Sequence, residues 1–358
     1  SWSFILMYIF SELWSVVIIN LMFWQFANHI IDSENARRFY PLFGLVGNFG
    51  LVFAGNIMVF FTTMNGVPES VIKLAYHANA STADISLKLS IYSVIISGMI
   101  MMFMMFYLNN FVLKKKALQD KHISKTVTKL SLRESLRLIF SSKYIALLTI
   151  IIISYGLAIN VLEGPWKAKI RELHPTQNEY LAFMGHFNIW MGVSCITFMI
   201  IGSNILRLFT WRFAALFTPV MIGITGIAFF VFVIFSNDKS LESILWFNPL
   251  YAAVLAGALQ NILSKSSKYS LFDSTKEMAY IPLSLELRTK GKAAAEVIGA
   301  KFGKSLGAVI QSSMFTLLPS IDFNGLTPIL MSIFCFVIVV WIFDVLILSK
   351  EYESIPKQ

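Results

Sequence analysis

Nine stretches of about 20 mostly apolar residues constrain this chain more than any other feature. They cover residues 2–28, 42–63, 89–113, 144–163, 180–203, 213–236, 246–264, 293–318 and 326–348. About 20 such residues carry a helix across the hydrocarbon core of a bilayer. Nine buried helices of one soluble protein would need a charged coat around them. Only 14% of the residues are Asp, Glu, Lys or Arg, against about 25% in soluble domains. The expectation is an all-α polytopic membrane protein with nine transmembrane helices.

Orientation follows from the loops, because Lys and Arg accumulate on the cytoplasmic side. With 114–143 inside, the inner connections and tail hold 21 Lys and Arg and the outer ones hold 6. The C-terminus is then cytoplasmic and the N-terminus is outside. A chain that starts outside, at Ser1, with neither a leader nor an earlier span, reads as the C-terminal portion of a longer protein. The basic connection 114–143 carries a net charge of +7. Within it, Leu132, Leu136 and Leu138 alternate with Arg133 and Arg137, a pattern that suits a short helix on anionic headgroups. Three spans precede this connection and six follow it. The expected divisions are 1–113, a partial bundle of three spans; 114–143, a basic linker; 144–349, a six-helix bundle; and 350–358, a cytoplasmic tail.

Ionisable side chains inside spans cost roughly 2.5–3.5 kcal/mol each on insertion scales, so they face partners or water-filled cavities. Glu12, Glu296, Lys301 and Lys304 are the four clearest. In the span 293–318, Gly299, Gly303 and Gly307 recur every fourth residue and make one smooth stripe for close helix packing. Lys304 borders that stripe, and Glu296 lies two turns before it and about 80° round the axis. Two interpretations of these charges stand together: an anion site on a transport path, or a structural Lys–Glu pair with a lysine snorkelling to the inner surface. Snorkelling suits Lys301 better than Lys304.

Several chemistries are excluded. Residues 299–305, Gly-Ala-Lys-Phe-Gly-Lys-Ser, imitate a phosphate-binding P-loop, but that motif needs four residues between its glycines and follows a strand. The histidines at 29, 77, 122, 174 and 186 are too scattered for metal ligation. Cys195 and Cys335 sit in apolar runs as buried thiols. No catalytic cluster is visible, so no enzyme and no cofactor are expected. The net charge of +9 is explained by topology and does not call for a nucleic acid polymer.

Residues 163–169, Glu-Gly-Pro-Trp-Lys-Ala-Lys, gather a carboxylate, an indole and two lysines. The Gly-Pro pair is expected to break the helix at its outer end. Lys167 and Lys169 would then draw in a polyanion while Trp166 stacks on a base, or Trp166 is simply an interfacial anchor. The first span, with Glu12, Ser15, Asn20, Gln25 and Asn28, is too polar to face lipid throughout.

Several long motifs carry a family resemblance: Phe23-Trp-Gln-Phe-Ala-Asn28, Arg37-Arg-Phe-Tyr-Pro-Leu-Phe-Gly44, Glu163-Gly-Pro-Trp-Lys-Ala-Lys169, Asn178-Glu-Tyr180 with Phe183-Met-Gly185, and Lys268-Tyr-Ser-Leu-Phe-Asp273 running to Lys276-Glu-Met-Ala-Tyr-Ile-Pro-Leu283. Across the whole chain the sequence resembles the nucleotide transporter family, the ATP/ADP antiporters of rickettsiae, chlamydiae and plastids, and most of all a rickettsial member. The resemblance implies a major-facilitator-like fold of twelve helices with the first three missing here. It implies a monomer in the bacterial inner membrane that exchanges host ATP for bacterial ADP by alternating access. It carries important charges onto Glu12, Glu163 and Lys304, while a further essential basic residue falls in the absent region. Ser15 and Leu306 stand where many members have Gly. The substrate-binding set expected from residues and resemblance together is Lys304, Glu12, Glu163, Lys301, Trp166, Lys167 and Asn28. The alternatives are a paralogue for GTP/GDP, CTP or UTP, a proton-coupled carrier, or a non-transporting fragment of a split gene. A physical reason for obligatory exchange also follows. ATP carries about four negative charges near neutral pH, and something cationic must receive its phosphates. A buried lysine left uncompensated without such a ligand would penalise movement of the empty carrier.

Overall fold

The computed structural model describes residues 2–14, 23, 26–27, 33–64, 67–75, 81–113, 132–236, 248–284 and 287–354. Every long element among them is helical, and no strand occurs among the described residues. The chain divides into two compact units, Ser1–Gly50 and Leu51–Gln358.

The first unit contains α1 (Trp2–Leu13) and the opening part of α2 (Ser33–Thr63). Trp2, Tyr8 and Phe10 of α1 are well exposed. Glu12 is exposed on the same helix.

The second unit takes up the rest of α2 and continues through α3 (Glu69–Ala75), α4 (Thr82–Tyr107), α5 (Leu132–Ser141), α6 (Lys143–Leu173), α7 (Gln177–Leu208), α8 (Trp211–Ser236), α9 (Pro249–Ser267), α10 (Asp273–Tyr280), α11 (Lys292–Leu317) and α12 (Phe323–Ser354). Local chemistry sets several of the starts. Ser81 and Asp84 form a reciprocal capping box at α4. Ser142 and Thr176 cap α6 and α7. The Asn248 Oδ1 accepts from the backbone N–H groups of Leu250 and Tyr251, and Pro249 fills the first turn of α9. The main core runs from Ile139 to Leu348, centred on α6, α8, α9 and α12. Outside it, large apolar side chains such as Val297, Phe302, Phe336 and Phe343 stand exposed. Such a surface suits lipid and not water.

Among the described residues, six helices are long and apolar enough to cross a bilayer: Leu42–Thr63, Thr82–Tyr107, Lys143–Leu173, Gln177–Leu208, Trp211–Ser236 and Phe323–Ser354. Each answers an expected span. The expected spans 246–264 and 293–318 are helices too, α9 and α11, but carry more polar residues. On α9, Gln260 and Ser264 are almost fully buried. The expected span 2–28 is described mainly over α1.

Two expectations are corrected. Gly164-Pro165 does not break α6, which continues to Leu173 with Pro165 buried inside it. Proline forfeits one backbone bond, which neighbouring helices can compensate inside a membrane bundle. Gly164 serves packing: a Cβ there would collide with the Gln311 side chain. Second, the segment 265–292, read as a connection, is helical as far as Tyr280. A π-turn, Lys268–Phe272, joins α9 to α10 without a break.

Candidate functional site

The second unit encloses a cavity of about 270 Å³ walled by α6, the α9–α10 helix and α11. On α6, Ile152, Tyr155, Gly156, Ile159, Asn160 and Glu163 line it. Their spacing of three and four residues is one helical face. On α11, Glu296, Ala300 and Lys304 line it at intervals of four.

The glycine stripe sets this geometry. A Cβ on Gly303 would lie 2.7 Å from the Ile153 carbonyl oxygen, and one on Gly307 would lie 2.7 Å from the Asn160 Cβ. A Cβ on Gly156 would lie 3.2 Å from the Lys304 backbone nitrogen. Small residues on both helices therefore let the backbones touch. The Gln311 amide adds a 2.8 Å bond to the Asn160 carbonyl. Lys304, next to the stripe, lines the cavity at the edge of the seam, and it is exposed there and not buried as expected.

The third wall carries an ion ladder. Asp273 accepts Lys268 at 2.8 Å through one carboxylate oxygen and Lys276 at 3.4 Å through the other. Lys276 also reaches Glu296 on α11 at 2.8 Å. The π-turn places the Asp273 N–H on the Lys268 carbonyl. Such turns are rare and concentrate at functional sites. Glu163 is paired with Lys167 one turn on, at 2.7 Å. Lys265 lies within electrostatic reach of Glu163, Lys167 and Lys304. No ion pair joins Lys304 to a described residue. Beside these charges, Tyr155 stacks on Phe272 with centroids 5.0 Å apart, and Trp341 meets both rings edge-on. The cavity thus offers an aromatic surface next to three ammonium groups, of Lys268, Lys276 and Lys304, and three carboxylates, of Glu163, Asp273 and Glu296.

Of the expected site residues, Lys304 and Glu163 meet at this cavity, and Lys167 joins them through Glu163. Trp166 does not. It is closed into the core, its indole N–H donating to the Val254 carbonyl at 3.0 Å and its ring packed on Phe187 and Gly257. An indole so placed holds α6 to α9 and presents no face to a base. Lys169 is likewise buried, 1% exposed, and paired with Glu172. Lys301 is exposed on the side of α11 opposite the glycine stripe, because two residues turn the helix by about 200°. It is not part of the cavity wall. Glu12 belongs to the first unit. Asn28 lies outside the described residues.

Lys268, Asp273, Lys276 and Tyr155 were not among the expected site residues. A signal was present: residues 268, 272 and 276 share one helical face. Treating 265–292 as a connection hid that periodicity.

The comparisons agree with the chemistry. A family model described as TLC ATP/ADP transporter matches residues 1–352. The "ADP,ATP carrier protein 3" of Rickettsia prowazekii (strain Madrid E) is 55% identical over 354 residues, covering 98% of this chain and 70% of that protein. The protein of the same name from Rickettsia felis is 55% identical over 360 residues, covering 99% and 72%. The "ADP,ATP carrier protein 1" of Rickettsia bellii is 43% identical over 357 residues, covering 98% and 69%. No solved structure matches.

Proposed function

This chain belongs to the TLC ATP/ADP transporter family, and on that premise we propose that it exchanges ATP for ADP across a bacterial inner membrane, with the α6–α10–α11 cavity as part of the path. It is a multi-pass membrane transporter and not an enzyme. One observation carries the assignment to the cavity: Lys304, a lysine on α11 with no carboxylate partner among the described residues, lines it.

In the mechanism we favour, Lys304 receives the phosphates, since an ammonium is a compact charge suited to them. Glu163 restrains Lys167 until a polyanion arrives and then shares its field with Lys265. Trp166 keeps α6 and α9 in register, so that Glu163 stays at the wall. Glu12 and Asn28 remain candidate substrate-binding residues on the strength of the family resemblance alone. Lys301 snorkels. Nine spans follow from the apolar stretches, and a cytoplasmic C-terminus from the distribution of Lys and Arg. The basic segment 114–143 rests on anionic lipid, and the carrier works as a monomer. Exchange is obligatory because only a loaded cavity compensates Lys304 while the carrier reorients.

The test is uptake of labelled ATP by proteoliposomes holding the intact carrier, loaded or not loaded with ADP. Uptake should require internal ADP. Uptake at the same rate into ADP-free vesicles would contradict obligatory exchange.

A further inference from the structure

We propose that Lys268 is a second phosphate ligand of this carrier, and that Asp273 is the positioning residue that holds it ready; the proposal rests on the exchange of nucleotides in this cavity.

The two lysines of the ladder are not equivalent. Lys276 is 10% exposed and lies between two carboxylates on different helices, Asp273 and Glu296. Drawing it away would leave Glu296 without its lysine, and an unpaired charge inside a protein is costly. Lys268 is 30% exposed. Its ion-pair partner is Asp273, and its ammonium also lies over the Tyr269 ring at 4.7 Å. An ammonium has three donors, so Asp273 leaves Lys268 with capacity for another acceptor. If a phosphate takes Lys268, Asp273 still has Lys276 on its other oxygen. No carboxylate is stranded. Lys268 is therefore the cation the ladder can release, and Lys276 is the one it must keep.

Position supports the same assignment. Lys268 and Lys304 line one cavity from different helices. Two ammonium groups on separate walls can hold two phosphates of one chain, whereas a monophosphate offers a single group. Lys268 thus favours nucleoside di- and triphosphates over monophosphates. Asp273 substitutes for the missing phosphate in the empty state, which keeps Lys268 neutralised while nothing is bound.

The experiment is ADP exchange by the intact carrier in proteoliposomes, with KM and maximal rate separated and AMP as competitor. Lys268→Gln should raise the KM for ADP and ATP about 10- to 100-fold, the range expected for one charge-assisted hydrogen bond. It should change competition by AMP far less. Lys268→Arg should recover most of the affinity. Asp273→Asn should lower the KM severalfold while lowering the maximal rate, because Lys268 is then uncommitted in the empty carrier. An unchanged KM for Lys268→Gln would overturn the proposal. So would Asp273→Asn raising KM together with a lost rate, as Lys276→Gln would if the ladder were only a structural tie. A wild-type carrier that moves no adenine nucleotide would instead overturn the exchange reading.

Discussion

The α11 wall and the α10 wall of the cavity hold lysines by opposite means. On α11, Lys304 is fixed through its backbone. Gly299, Gly303 and Gly307 press the helix against α6, and the ammonium has no carboxylate partner among the described residues. On the wall formed by the π-turn and α10, the lysines are held through their charges by Asp273 and Glu296. A membrane protein can therefore keep a cation beside an aqueous space in two ways. It can lock the main chain and leave the charge for a ligand, or it can supply a resident counterion that a ligand displaces. The first gives a permanent attraction for anions. The second gives an attraction that appears only on exchange.

The sharpest way to break this contrast is at the seam. Gly303→Leu places a branched side chain where even a Cβ would lie 2.7 Å from the Ile153 carbonyl. Overpacking of this kind costs about 1–3 kcal/mol, occasionally more. Folded carrier in detergent should fall sharply, while Gly50→Leu, where nothing lies within 4 Å of a Cβ, should be tolerated; thermal unfolding of the two variants checks this. Next in size is Lys304→Ala, which should reduce ADP exchange at least about 100-fold with normal abundance, a loss near the upper end for hydrogen bonds to a charged group. Trp166→Phe should cost about 1 kcal/mol of stability through the lost bond to Val254. Its KM should not change, since the indole touches the core and not the cavity. Lys301→Gln should be the smallest, leaving both KM and thermal stability unaltered. A raised KM there would mean that α11 turns another face to the substrate.

Much of the α11 wall was legible in the sequence, for a simple reason. A four-residue glycine repeat and an intramembrane lysine are both local signals, and each carries a large energetic penalty unless used. The helix that accepts the stripe, α6, was also recognisable as a span. The α10 wall was not legible. Counting Lys and Arg as markers of a loop treats each charge as solvated, yet Lys268, Asp273 and Lys276 satisfy one another along a continuous helix. Lys268 lies in the π-turn Lys268–Phe272 and Asp273 directly follows it. Pro165 misled for a related reason. Proline commonly ends helices in water, but here α6 continues through a buried Pro165. Trp166 looked like a stacking surface because its sequence neighbours are charged. Its fate was decided by Gly257, which leaves just enough room for an indole against α9.

The seam-and-ladder account depends most on Lys304 standing in water where nucleotide phosphates arrive. Labelling of Lys304→Cys in membranes with a charged, water-soluble thiol reagent tests this directly. The background thiols are modest, since Cys195 is buried and Cys335 half-buried. The account predicts rapid modification that millimolar-range ADP or ATP slows strongly and AMP slows weakly. A position that stays unreactive, or reacts at one rate with and without nucleotide, would contradict it.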